Sequence, residues 1–247
     1  MYHQKAYTAT LLNQIRTANE RILSELKVTQ KHNLPIPTPE NMTLERLAFA
    51  GTRDPEVAWP VFDALLSELL VPGRQPLMLG LDNLGHAMTN SKYLDRDAKP
   101  IHAHDLALLR TFMDFLSGKR SLPNGGLVLA ADSMGNRPKV ATLDHMILRN
   151  EAIAAAQRGS GEGDDMQVPM WNPYMASDAR VEAALEGVEV VRLGGLSKEE
   201  ARGVMEYYAA SGMLRASVTE DLVGERWTMS GGGIVGELER ATIRLKA

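Results

Sequence analysis

The sequence predicts an α/β fold built on a parallel sheet, followed by a small helical subdomain. Three short apolar runs carry that prediction: residues 76–82, residues 126–131 with polar Asp132 and Ser133 after them, and residues 188–193. Each is strand-sized and bounded by turn or polar residues, as expected of strands buried on both faces of a parallel sheet. Between the first two runs Leu106, Leu109, Phe112, Met113 and Leu116 recur at three- and four-residue steps. That spacing predicts a crossover helix over residues 104–116. Past the third run the texture becomes helical, which divides the chain into an α/β core at 1–194 and a helical subdomain at 195–247.

The remaining elements follow in chain order. Leu11, Leu12, Ile15, Ala18, Ile22, Leu23 and Leu26 mark an amphipathic helix over residues 7–27. Lys5, Arg16 and Arg21, with no acid before Glu20, also give this segment a transit-peptide-like composition, but the helix accounts for it. Pro35, Pro37 and Pro39 predict a surface loop over residues 31–40. A second helix is expected to start at Pro60 and run through Phe62, Leu65, Leu66 and Leu69 to Pro72-Gly73. Residues 158–167, with Gly159, Gly161 and Gly163 among Glu162, Asp164 and Asp165, are expected to form a polar loop. Ser197 and Glu200 make a capping box for a helix over 198–210, which Gly212 stops. Gly231-Gly232-Gly233 then opens a final helix carrying Ile234, Val235, Leu238, Ala241, Ile243 and Leu245.

Composition bounds the chemistry. The 247 residues correspond to one or two domains, and 44% hydrophobic with 23% charged residues is an ordinary globular balance. The absence of cysteine excludes a disulfide framework, a Cys-ligated metal and a thiol nucleophile. A net charge of −4 excludes a chain that coats nucleic acid over its whole surface, while leaving room for local basic patches. No apolar run reaches the length of a membrane span.

The first apolar run ends in Asp82, the form of a Walker B strand whose acid holds a magnesium water beside nucleotide phosphates. Asn83 follows where an ATPase carries a second acid, and an amide cannot take a proton from water, so hydrolysis is disfavoured. Ser133 stands where such folds sense a γ-phosphate, or simply caps a turn. No Gly-x-x-x-x-Gly-Lys-Ser/Thr phosphate loop occurs. The acidic glycine trio at Gly159 lacks the lysine and the preceding strand of such a loop. His102 and His104, with Asp105 beside them, have the look of ligands alternating on a strand, but Pro100 before them and the helical pattern after them make His104 or Asp105 a helix cap in place of a metal site. The alternating charges of Lys92, Asp95, Arg96, Asp97 and Lys99 read as a solvated loop, in which Lys92 and Tyr93 are candidates for contact with RNA or a partner protein.

Longer segments carry a resemblance. Leu79-Gly80-Leu81-Asp82-Asn83-Leu84, Ser91-Lys92-Tyr93-Leu94-Asp95 and Lys99-Pro100-Ile101-His102-Ala103-His104-Asp105-Leu106 are similar to the mitochondrial small-ribosomal-subunit protein family of death-associated protein 3, in its fungal branch. So are Leu122-Pro123-Asn124-Gly125-Gly126-Leu127, Tyr207-Tyr208-Ala209-Ala210-Ser211-Gly212 and Trp227-Thr228-Met229-Ser230-Gly231-Gly232-Gly233. The resemblance implies a P-loop NTPase-like core related to AAA and STAND ATPases, with a C-terminal helical lid. That core is only partial here, because the sequence begins past the family's Walker A strand, loop and helix, as in a truncated or incomplete version of a longer chain.

What the resemblance implies for function is a structural, non-enzymatic component of the head of the mitochondrial small ribosomal subunit, in the matrix. Its partners would be small-subunit rRNA, mitochondrial ribosomal proteins and a bridge to the large subunit, with no membrane. Asp82 and Asn83 carry over to the Walker B position and Ser133 to the sensor position. Asp82 would hold Mg through water only if nucleotide binds. The chain as given would carry no cofactor, and GTP or GDP with Mg would belong to a fuller form. The alternative is a GTP-binding switch whose P-loop lies in a missing N-terminal segment. Strand edges left without that segment are expected to make the isolated chain marginally stable or prone to associate.

Overall fold

Prolines, caps and apolar spacing place four helices first in the computed structural model, which describes residues 1–133, 137–158 and 169–244. The expected first helix is two: α1 (Lys5–Ala18) and α2 (Glu20–Glu25), broken at Asn19. The proline-rich stretch 31–40 holds no regular element. A helix that the periodicity reading leaves out, α3 (Leu44–Arg53), is capped by the Thr43 hydroxyl, which accepts from Arg46 N. Helix α4 (Pro55–Leu69) begins five residues before Pro60, because Asp54 caps Glu56 N and Pro55 occupies the first helical position. Pro60 therefore sits inside the helix rather than opening it. Leu12, Leu23, Leu44, Leu47 and Leu65 are fully buried where these helices meet. Each stabilises the fold by roughly 1.5–3 kcal/mol.

The turn after α4 is held from both sides. Glu68, with no exposed surface, accepts hydrogen bonds from Thr29 N, Gln30 N, Thr29 Oγ1, His32 Nε2 and Arg74 Nη2 at 2.7–3.3 Å. Burial pushes its pKa up, but the bonds from Gln30, His32 and Thr29 outweigh that and hold it below 4.5. Asn124 grips the same turn from the other side, donating to the Leu69 and Val71 carbonyls and accepting from Gly73 N.

This double grip leads the chain into β1 (Leu77–Leu81), which pairs in parallel with β4 (Gly126–Ala130). The register runs from Leu77 opposite Gly126 to Leu81 opposite Ala130. Gly126, at φ 143°, lies so close to Leu77 that a Cβ there would overlap the Leu77 carbonyl. Between these strands come α5 (Leu84–Ala87), an antiparallel hairpin of β2 (Asn90–Leu94) and β3 (Pro100–His102), a 3-10 turn (Ala103–Asp105) and α6 (Ala107–Leu116). Helices α7 (Ala141–Arg158) and α8 (Ala179–Leu185) follow. Leu84, Met88, Met113, Leu143, Met146, Val181 and Leu185 form the core beneath the parallel pair.

Several expectations are corrected. Residues 188–193 form no strand, so the parallel sheet of the described residues has two strands. Val191 and Leu193 lie exposed instead of being drawn into a ladder. Residues 92–99 are no simple loop, since Lys92 and Tyr93 stand in β2. The crossover helix starts at Ala107, and the cap before it is His102, whose Nδ1 accepts from His104 N at the head of the 3-10 turn. The parallel pair is not buried on both faces. Leu81 and Ala130 face the core, but Met78, Leu127 and Leu129 are 68%, 52% and 48% exposed on the other face. The glycine-rich residues 159–167 and Leu245 lie outside the described residues.

The chain divides into two compact units, Met1–Val190 and Val191–Ala247. In the second, α9 (Lys198–Ala210) starts at the Ser197–Glu200 capping box and ends before Gly212, at φ 75°. Helices α10 (Glu220–Met229) and α11 (Val235–Glu239) follow, and a π turn (Arg240–Arg244) continues the latter. The glycine trio does open α11, and it also packs backbone against backbone. Leu196 N donates to the Gly233 carbonyl and Trp227 Nε1 to the Leu196 carbonyl, while a Cβ at Gly195 would overlap the Gly232 carbonyl. Ala201, Met205, Val223 and Leu238 form this unit's core.

Two outcomes follow from this architecture. Glu68→Ala leaves two backbone N–H groups, His32 and Arg74 without their shared acceptor, and urea unfolding should show a loss of about 3–5 kcal/mol. The exposed Glu56→Gln should stay within about 0.5 kcal/mol of the parent chain; equal midpoints for all three chains would remove Glu68 from its role. Light scattering should detect self-association of the parent chain through its bare apolar sheet face, reduced by Met78→Lys with Leu127→Lys. A parent chain that is already a monodisperse monomer with a cooperative, high-temperature melt would contradict this.

Candidate functional site

Both parallel strands run out at the same end, and this brings together the three residues that sequence places at a nucleotide site. The ladder extends one step past the strands, with Ala131 N donating to the Leu81 carbonyl and Leu84 N to the Ala131 carbonyl. Asp82, Asn83 and Ser133 are all exposed there. Asp82 Oδ1 accepts from Asn83 N at 2.8 Å, and Asn83 adopts the left-handed conformation at φ 58° to enter α5. Asp132 Oδ1 accepts from Gly85 N at 3.2 Å, and its other oxygen accepts from Arg137 Nη1 at 2.8 Å. The Arg137 guanidinium, nearly buried, also binds Asp144 of α7.

Part of this end is occupied by the protein itself. The N–H groups at the start of α5 are bonded to Ala131 and Asp132, and the neighbouring cation, Arg137, bridges two carboxylates. The Asn83 and Ser133 side chains, in contrast, make no hydrogen bond among the described residues. Spacing in the sequence gives no sign of Arg137, because its partners lie five and seven residues away in a region without periodicity. Among the described residues no three His, Asp or Glu side chains gather to hold a metal ion.

The second candidate surface is the β2–β3 hairpin. Ser91 Oγ donates to the Ile101 carbonyl and accepts from Tyr93 N, which accounts for the irregular register between Asn90 and Leu94. At the tip Asp95 Oδ1 accepts from Asp97 N at 2.8 Å and Lys99 N at 2.9 Å, and Ala98 turns back at φ 58°. One of the two tip acids is thereby occupied by backbone. Lys92, Arg96 and Lys99 make no ion pair among the described residues, and Tyr93 is 49% exposed beside them. Alternation of charge concealed this, because it counts Asp95 as a solvated acid.

A third cluster lies at the base of the hairpin. His102 and His104 are buried with their rings edge to face at 4.9 Å. His102 Nδ1 is an acceptor, so its proton is on Nε2, which lies 3.3 Å from Asp178 Oδ2 but off the line of a hydrogen bond. Arg180 of α8 binds Asp105 at 3.1 Å and approaches Asp178 at 3.8 Å. His104 Nε2 has no hydrogen-bond partner. Burial first, then the neighbouring His102 and Arg180 charges, lower its pKa to about 4, against the opposing pull of Asp178 and Asp105.

Residues 1–241 match the family described as mitochondrial ribosomal death-associated protein 3. The chain is 43% identical over 248 aligned residues to a small ribosomal subunit protein mS29 of Neurospora crassa, covering 98% of this chain and 51% of the relative. It is 24% identical over 227 residues to the mS29 protein of Schizosaccharomyces pombe, covering 90% of this chain and 43% of that relative. The chain thus spans about half the length of these curated relatives.

The buried histidine gives the first unit a pH signature. His104 takes up its proton near 6.5 when unfolded and near 4 when folded, so its contribution is complete above pH 6.5 and falls away towards pH 4. Unfolding free energy should therefore drop across that window by at most roughly 3 kcal/mol on this account. His104→Gln should flatten the slope between pH 6.5 and 4.5, and an unchanged slope in denaturant titrations at stepped pH would contradict the assignment.

Proposed function

Because the chain belongs to the mitochondrial ribosomal death-associated protein 3 family, we propose that it acts as a structural, non-catalytic component of the mitochondrial small ribosomal subunit. The observation that carries this reading is the match over residues 1–241, together with the 43% identity to a protein named for that subunit. In this reading the protein works in the mitochondrial matrix, in the head of the subunit. It joins small-subunit rRNA to neighbouring ribosomal proteins and contributes to a bridge with the large subunit.

The fold is a degenerate form of a P-loop core related to AAA and STAND ATPases. Two parallel strands, each ending in an acid or serine, support that lineage. The engaged donors around Asp132 and Arg137 support a scaffold role in place of nucleotide handling. Lys92 and Tyr93 are the proposed contact with RNA or a partner. Their place on a hairpin that also carries Arg96 and Lys99 supports a local contact, which suits a chain of net charge −4.

Gradient fractionation of mitochondrial ribosomes tests the reading. Peptides of this chain should sediment with the small subunit, and intact mass would show whether the particle holds the 27.1 kDa chain or a larger one. Lys92→Ala with Tyr93→Ala should lower the bound fraction several-fold at physiological salt, with a smaller effect at low salt. Absence of the chain from that fraction would overturn the ribosomal role.

A further inference from the structure

The cleft between α6 and α8 shares no residue with the strand ends or with Lys92 and Tyr93, and it has the lining of a ligand site. Its volume is about 370 Å³, within the range of small-molecule pockets. Arg110, Met113, Asp114 and Ser117 line one wall at the steps of a single helical face. Small side chains on α8, Ala183 among them, keep the opposite wall low. Lys119 stands beyond the end of α6, and His104 completes the lining.

The charges of this lining fall into three kinds. Arg180 and Asp105 are bound to one another. Arg110 and Lys119, both exposed, make no ion pair among the described residues. The Asp114 carboxylate likewise has no hydrogen-bond or ion-pair partner among them. His104 adds a neutral ring that is only 9% exposed.

We propose that this cleft receives one unstacked nucleotide of single-stranded RNA. Arg110 and Lys119 supply the charge for its phosphate, and Met113 with the α8 alanines supplies an apolar floor for a flat base. Asp114 accepts from an amino group on the base edge, and the neutral His104 ring closes the wall beside it. Splayed bases recognised on their edges are the usual route of sequence-selective RNA binding. An acidic peptide would leave the apolar floor unused and would meet Asp114 unfavourably. A duplex cannot enter a cleft of this volume. The proposal rests on the RNA-contacting role above and names a second contact within the same unit.

The test uses the full 247-residue chain and the four ribonucleoside 5′-monophosphates, followed by amide NMR shifts. Saturable binding is expected at roughly 0.1–1 mM, with shifts confined to α6, α8 and the 3-10 turn, and strongest for a base that carries an amino group. Arg110→Ala with Lys119→Ala should weaken binding about tenfold, and Ala183→Trp, a surface change that fills the cleft, should abolish it with the melt unchanged. Ribose 5-phosphate should bind at least tenfold more weakly than the nucleotides. Equal binding of inorganic phosphate, preference for a glutamate-rich peptide, or indifference to Ala183→Trp would each overturn the proposal. Loss of nucleotide binding with intact sedimentation on the small subunit would strike this site alone. The reverse result would strike the ribosomal role alone.

Discussion

The carboxylate of Glu68 is the constraint on which the first unit depends. Sealed from solvent, it ties the loop after α2 to the end of α4 through Thr29, Gln30 and His32, and it holds Arg74 just before β1. An isolated charge in such a place would be strongly destabilising. Here its two oxygens meet five donors, two of them backbone N–H groups, and the ionised form is the favoured one. Asn124 then fastens the same turn to the entrance of β4. The close pairing of Leu77 with Gly126 follows from chain segments that these two side chains have already brought into line.

From that frame come the two surfaces that bear on function. The parallel pair packs one face on the α5–α8 core and leaves Met78, Leu127 and Leu129 outside. At its C-terminal end, donors are turned on the chain's own acids, Asn83 N on Asp82, and Gly85 N with Arg137 on Asp132. The strand ends therefore act as a polar knot that joins β4, α5 and α7. The hairpin works the other way. Asp95 is absorbed into its turn, and the cations beside it are left open to solvent.

Much of this was legible where the signal was short in sequence. The apolar runs at β1 and β4, bounded by turn residues and ending in Asp82 and Asp132, located both parallel strands. The Ser197–Glu200 box located α9, and Gly212 its end. Errors arose where a local signal had a stronger competitor. Pro60 is a sound helix opener, but Asp54-Pro55 opens the helix earlier. His104 and Asp105 looked like caps, yet His102 has the ring nitrogen in reach of the turn. Residues 188–193 have strand-like composition, but composition does not supply a neighbour with free backbone groups to pair with them.

The sequence by itself determined the α/β class, the apolar runs, the caps and the kinship with a ribosomal family, because these reside in nearest neighbours and in unbroken stretches of residues. Only the tertiary structure decided that Glu68 is a buried anchor, that Arg137 bridges Asp132 and Asp144, that one sheet face is bare, and that Arg110, Lys119, Asp114 and His104 line one cleft. Each of these depends on groups brought together from different elements, and on whether a charge finds a partner. Burial and pairing across such distances are properties of the packed chain, and no spacing along the sequence encodes them.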